Sequence, residues 1–334
     1  MARRPEKLTE DELKAILKHE IEQASGYVGD ELEKDRATSL DYYMGQPFGN
    51  EVDGQSQIVM TEVQDAIEAI MPSLVEIFAG GDVIGKFQAQ SQEDEAFAEQ
   101  ATDYVQHIWW KDNDGFKITH DWMKDALIQK NGFIKVFWDE TDKITKETRT
   151  GLNSLALSEL ANDPEVEIVE HEEREAKPEE LPDAPDGVIH DATFTRTRKD
   201  GRVRVECIPP EELLLRRDAR SLKDGEFKFA CHRKEVTISD LMEEGYSWDD
   251  LEDVPSGDPA QLSDERISRY KTSSQDILQS DSLDKAQRTV WRYESYIKVD
   301  TDGDGISELR NIVSVGSGHK ILYNEEIAEQ PFLT

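Results

Sequence analysis

An α+β fold is predicted, with a helical region first and a β-rich region after it, on three observations. Apolar residues recur at helical spacing up to about residue 130, and the period then switches to alternation at "GFIKVFWDE". Near the end, "VWRYESYIKV" and "LRNIVSV" are rich in β-branched and aromatic residues and flank a short acidic turn. A chain of 334 residues with 37% apolar content has material for about two domains and a buried core.

Residues 1–131 form the helical region. Thr9 followed by Glu12 is a capping box, and Leu13, Ile16, Leu17 and Ile21 make one stripe behind it. A second helix is expected near residues 30–44, stopped at "GQPFGN" by Gly45 and Pro47. In "TEVQDAIEAIMPSLVEIFAGGD", Val63, Ile67, Ile70, Leu74 and Phe78 keep helical spacing, and Pro72 predicts a kink or two abutting helices. A third stripe runs from Glu93 through Phe97, Ala101, Tyr104, Val105 and Ile108 to "KDNDG", and a fourth helix carries Trp122, Met123 and Leu127 up to Gly132. All of these stripes are expected to face the core.

Residues 132–210 form the β-rich region, opened by the alternation of Phe133, Ile134, Val136 and Trp138. Residues 155–187 are dominated by Glu and Asp, with Pro164, Pro178, Pro182 and Pro185, which predicts an exposed loop inserted between two strands. In "HDATFTRTRKDGRVRVECIPPEELLL", Asp200-Gly201 is a favoured two-residue turn, so a hairpin is expected. Mixed helix and loop follow over 211–289, and a β-hairpin region over 290–334.

Two places invite a functional reading. Arg196, Arg198, Arg202 and Arg204 gather on one strand face of a strongly acidic chain; a solvated face that neutralises nearby acids, a phosphate contact and an acidic neighbouring subunit would each account for them. In "VDTDGDGISELRNIV", Asp300, Asp302 and Asp304 stand at positions one, three and five of a calcium-type loop, with Gly305 at six. Position twelve is Asn311 instead of a bidentate Glu, Glu308 is the only further acid, and the flanks are strands where an EF-hand has helices. The turn is therefore read as a hairpin tip, and no metal or other cofactor is assigned.

Composition narrows the function. The net charge of -34 repels phosphate backbones, which disfavours tight nucleic-acid binding over the whole surface. No stretch has the length and hydrophobicity of a membrane span or a secretion signal, so a soluble, cytoplasmically made chain is expected. Cys207 and Cys231 are too few for a disulfide framework or a thiolate zinc site and are read as small strand residues. Phosphate loops, His-Glu-x-x-His pairs, nucleophile elbows and dinucleotide fingerprints are all missing, so no enzyme is predicted. A calcium-stabilised, non-catalytic binding module is the alternative from composition and the acidic turn.

The order of segments carries a resemblance. "DYYMGQPFGNEVDGQSQIVMTEVQDAIEAIMPSLVEIF", "VRVECIPPEELLLRRDARSLKDGEFKFACHRKEVTISDLMEEGY" and "YESYIKVDTDGDGISELRNIVSVGSGHKIL" follow one another as in the N-terminal part of a tailed-phage portal protein, and the chain resembles the portals of short-tailed phages along nearly its whole length. The resemblance implies a wing architecture, in which the acidic turn is the tip of a wing hairpin. It also implies a dodecameric ring at one capsid vertex, a channel through which viral double-stranded DNA is packaged and ejected, and no catalysis by the ring itself. The partners it implies are further copies of the chain, major capsid and scaffolding proteins, the terminase large subunit and head-completion or tail adaptor proteins, with no membrane. The stem, clip and crown to which relatives continue are not identifiable in this chain. Within that picture Arg196, Arg198, Arg202 and Arg204 are the candidates for the subunit interface.

Overall fold

The computed structural model describes residues 7–334 apart from 28–31, 48, 50, 51, 53, 57, 82, 176–187, 220, 223–227, 256–262 and 271–283, and apart from the side chains of 141–144, 198–200 and 270. The chain divides into two compact units, one made of residues 1–136 with 205–334 and the other of residues 137–204.

In the first unit, helix α1 (Glu10–Tyr27) begins where Thr9 closes its capping box: the Glu12 carboxylate accepts the Thr9 N–H at 2.9 Å, and the Thr9 hydroxyl accepts the Glu12 N–H at 3.4 Å. Leu13, Leu17 and Ile21 then point onto a five-stranded antiparallel sheet. Its order is β4 (Leu213–Leu215), β5 (Phe229–Thr237), β6 (Thr289–Val299), β7 (Glu308–Val315) and β8 (Lys320–Glu326). The stripe packs on Leu214, Phe229, Tyr293 and Ile312. Each fully buried side chain of this kind contributes about 1.5–3 kcal/mol, enough to fix the helix on the sheet. β6 is the middle strand and is buried on both faces, so it carries Glu294 and Ser295 inward along with its aromatics. β6 and β7 pair antiparallel from Arg292↔Val315 to Val299↔Glu308, with the acidic turn between them, as expected of strand, turn and strand.

The remaining helices of this unit show where periodicity informs and where it misleads. α2 (Glu33–Met44) ends as its sequence predicts: Gly45 takes a left-handed φ of 64°, its N–H reaches the Tyr42 carbonyl, and the Gln46 N–H reaches that of Asp41. α3 (Glu62–Ala79) runs as one helix through Pro72, so of the two expected outcomes the division into abutting helices does not occur. α4 (Glu95–His107) continues into a π-helical turn over Ile108–Asp112, and α5 (Gly115–Gln129) follows. α2, α3 and α5 share a small core of Leu40, Tyr43, Ile67, Met71 and Ile128. Contrary to the expectation that every stripe faces the core, Val63, Ile70 and Phe78 on α3 and Phe97, Tyr104 and Val105 on α4 are exposed. The spacing identifies an apolar face, but it does not say whether the same chain covers it. What α4 buries is Ala98 and Thr102, the latter accepting the Phe87 N–H at 3.1 Å from an extended strap.

Among the described residues of 211–289 there are three short α-helices, α7 (Ile238–Glu243), α8 (Trp248–Leu251) and α9 (Asp264–Tyr270). α7 starts at a second capping box, Thr237 with Asp240, and with α8 it covers Val236, Val290 and Val315 on the sheet.

A second sheet has the order β2 (Val166–Glu175), β3 (Val188–Ile208), β1 (Phe133–Leu152) and β9 (Phe332–Leu333), and the division between the units falls within β1 and β3. Two expectations are corrected in the second unit. The hairpin at Asp200-Gly201 is not formed, because β3 runs unbroken through it and Gly201 does not take the left-handed φ that a type I′ turn requires. β1 is long enough to partner β3 throughout: Arg204 meets Asp139 toward one end, and Thr148 meets Thr193 and Gly151 meets Asp191 toward the other. Glycine at 201 serves instead to let the indole of Trp138 lie directly over the strand, where a Cβ would strike the ring. The predicted exposed loop over 155–187 is also not uniform. It begins with α6 (Ser154–Ala161), capped by Asn153 whose side chain accepts the Ala156 N–H at 2.8 Å, and continues as β2, paired with β3. Cross-strand hydrogen bonding holds this acidic strand despite its charge; residues 176–187 lie outside the described part.

Candidate functional site

Alternation along one continuous strand places Arg196, Arg202 and Arg204 on the same face of β3. The Arg198 side chain lies outside the described part. Arg204 donates to Asp139 at 3.2 Å, Arg202 stands 3.7 Å from the same carboxylate, and Arg196 stands 3.5 Å from Asp163. Asp139 is largely buried while the arginines keep a third to a half of their surface, so the strand neutralises its own acids and still presents positive charge outward. Of the readings open from sequence, neutralisation of nearby acids is the one this geometry displays.

At the β6–β7 turn, carboxylate oxygens of Asp300, Asp302, Asp304 and Glu308 all lie within 4.8 Å of one another. Sequence spacing had left Glu308 as a secondary acid; the hairpin register brings it in, because it is the first residue of β7, opposite Val299. The oxygens are already engaged by the loop. Asp300 accepts the N–H groups of Gly303 at 2.7 Å and Gly305 at 2.9 Å, Asp304 accepts that of Ile306 at 2.7 Å, and Glu308 accepts that of Thr301 at 3.2 Å. These bonds close the turn from within.

A third charged group could not have been foreseen. In the first unit Arg36 of α2 donates to the carbonyls of Gln129 and Pro210 and meets Glu265 of α9 at 3.4 Å. Arg269 of α9 meets Asp125 at 3.0 Å and Glu211 at 2.6 Å. Burial pushes the carboxyls of Asp125 and Glu211 up, with Arg269 opposing. Glu265 rises to about 7, chiefly through burial, with Arg36 offsetting part of it and Glu211 and Glu33 adding to it. Nearby, burial lifts the Cys207 thiol to about 12, which keeps it protonated and a poor nucleophile at neutral pH. This network does mechanical work: it ties α2, α5, the turn before β4 and α9 together by charge. In the second unit, a hydrogen-bond chain runs from Ser154 to His190 at 3.1 Å and on to His171 at 2.9 Å.

No helix among the described residues is long and apolar enough to cross a membrane. The elements, helices first and antiparallel strands after them, make an α+β chain, and within the first unit buried ion pairs tie α2, α5 and α9 together. Residues 13–334 match the family model described as Phage SU10 portal protein. The match extends from within α1 to beyond β9, and the chain belongs to that family of phage portal proteins, the class that the order of its segments resembles. Portal proteins are structural components of the virion. No curated protein matches the chain.

Proposed function

We propose that the chain assembles with further copies into a ring, dodecameric in the form its segments suggest, at one vertex of the capsid. The ring is the channel for packaging and ejecting double-stranded DNA. It is also the platform to which the terminase large subunit and then head-completion or tail adaptor proteins dock, with capsid and scaffolding proteins around it and assembly in the host cytoplasm. No bond is made or broken by the chain itself. The observation that carries this reading is the family match along residues 13–334. The charge of -34 supports it, because a tunnel through which DNA must slide benefits from weak phosphate contact. The outward positive charge of Arg196, Arg202 and Arg204 supports it too, since an acidic neighbouring copy would complement that strand.

Electron microscopy of the full product of the gene encoding this chain tests the reading. Rings with an axial hole are expected; dispersed particles, also in the presence of capsid components, would refute it.

A further inference from the structure

Among the described residues of the first unit, two apolar helix faces lack a cover. α3 is apolar on two sides: Ile67 and Met71 enter the core with α2 and α5, while Val63, Ile70 and Ile77, spaced seven residues apart, make an outer seam. Ile77 is 72% exposed. α4 is more isolated still. Among the described elements it packs extensively only on the helical turns that flank it in sequence, and Phe97 and Tyr104 stand 73% and 61% exposed along its outer side. A helix of 13 residues is marginal in water without a packing partner, and a helix apolar on two sides is ordinarily covered on both.

From these faces we infer the contact between copies: the outer seam of α4 in one copy lies on the outer seam of α3 in the next. This deepens the ring reading above and rests on it. Three observations choose a second copy as the occupant. A ring closes through a head-to-tail contact, in which each subunit offers two different patches, and here one chain carries two seams on two helices. The seams run about 21 Å from Val63 to Ile77 and about 11 Å from Phe97 to Tyr104 at a helical rise of 1.5 Å per residue, so the shorter fits within the longer. Charge disfavours nucleic acid and anionic lipid as occupants. Neither helix contains a Lys or Arg, whereas Glu62, Asp65 and Glu76 on α3 and Glu95, Glu99 and Asp103 on α4 are acidic, so DNA and anionic lipid are both repelled.

The area is of the right size. With roughly 200 Å² for each aromatic side chain and somewhat less for each aliphatic one, the two seams expose on the order of 500 Å². A standard interface buries about 1,600 Å² in total, with an apolar centre and a polar rim; the seams supply such a centre. The sign of the salt dependence follows. Two acidic helices joined by apolar side chains associate more tightly as salt screens their repulsion, whereas a contact made by the arginines of β3 weakens.

The test uses the full chain. Ile77→Glu and Tyr104→Glu, both at exposed positions, are expected to keep the circular dichroism and melting of the parent. Each should raise the concentration needed for assembly at least tenfold by native mass spectrometry, and assembly of the parent should strengthen between low and moderate salt. Ile77→Cys and Tyr104→Cys, mixed as separate chains and oxidised, should give one cross-linked dimer, and the double variant should give a ladder of multimers. Parent rings with unaffected Glu variants and no 77–104 cross-link would overturn the seam contact and leave the ring reading standing. Parent chains that stay monomeric would remove the ring reading, and failure to cross-link at high concentration would then remove the seam contact as well. A 77–104 cross-link that stops at dimers would also overturn the head-to-tail arrangement.

Discussion

Replacing Glu294 by Gln removes the centre of a buried charge cluster, and the cost can be worked from its surroundings. Glu294 lies on the central strand β6, almost fully buried, 2.6 Å from Lys135 and 3.1 Å from Arg292, and it accepts the Tyr296 hydroxyl. Burial opposes its ionisation, but the two cations and the hydrogen bonds from Lys135 and Tyr296 win and hold the carboxyl down from 4.5 to about 2. At about 1.4 kcal/mol for each tenfold change in proton affinity, this corresponds to about 3 kcal/mol of folding stability at pH 7. The folded value is depressed, so that stability is present above the unfolded value of 4.5 and is lost as pH falls toward 2; at pH 3 about 1 kcal/mol of it remains. Glu294→Gln also strands Lys135, and breaking a buried pair on one side typically costs about 3–5 kcal/mol. Urea unfolding followed by tryptophan fluorescence, which Trp291 reports from the adjacent core, should show a loss of about 3 kcal/mol at pH 7 that shrinks severalfold at pH 3. A loss equal at both pH values, or below about 1 kcal/mol at pH 7, would refute the electrostatic account.

Three further outcomes are expected. Gly132→Ala places a Cβ against the carbonyl oxygen and indole of Trp122, between α5 and β1, and since backbone cannot yield as a flexible side chain does, thermal unfolding should show a loss of at least about 2 kcal/mol. Asp300→Ala deprives Gly303 and Gly305 of their acceptor and should cost about 1–2 kcal/mol, equally in calcium and in chelator. Melting of the parent should likewise coincide in the two conditions; a gain near 2.7 kcal/mol at a hundredfold excess of calcium over its dissociation constant would instead make the turn a metal site.

Local rules carried much of the architecture. The capping box at Thr9, the Gly45 stop and the β6–β7 strands around the acidic turn each depend on residues within a few positions of one another, and all three form as the sequence predicts. The Asp200-Gly201 hairpin failed for the opposite reason: a turn signal is only a local preference, and the ladder offered by β1 overrode it. The acidic stretch after Asn153 was misread in the same way, since composition reports solvation but not the strand partner that β3 supplies.

By itself, the sequence determined the α+β class, the helical region ahead of the strands and, through the order of its segments, the portal family. Only the tertiary structure decided which apolar stripes are covered, because a helix periodicity is the same whether its face meets its own core or another copy. It alone joined Arg36 to Glu265 across 229 positions and Lys135 to Glu294 across 159. Charges that distant leave no spacing to read; their pairing is set by where packed helices and strands bring them, and burial then fixes how strongly each holds its proton.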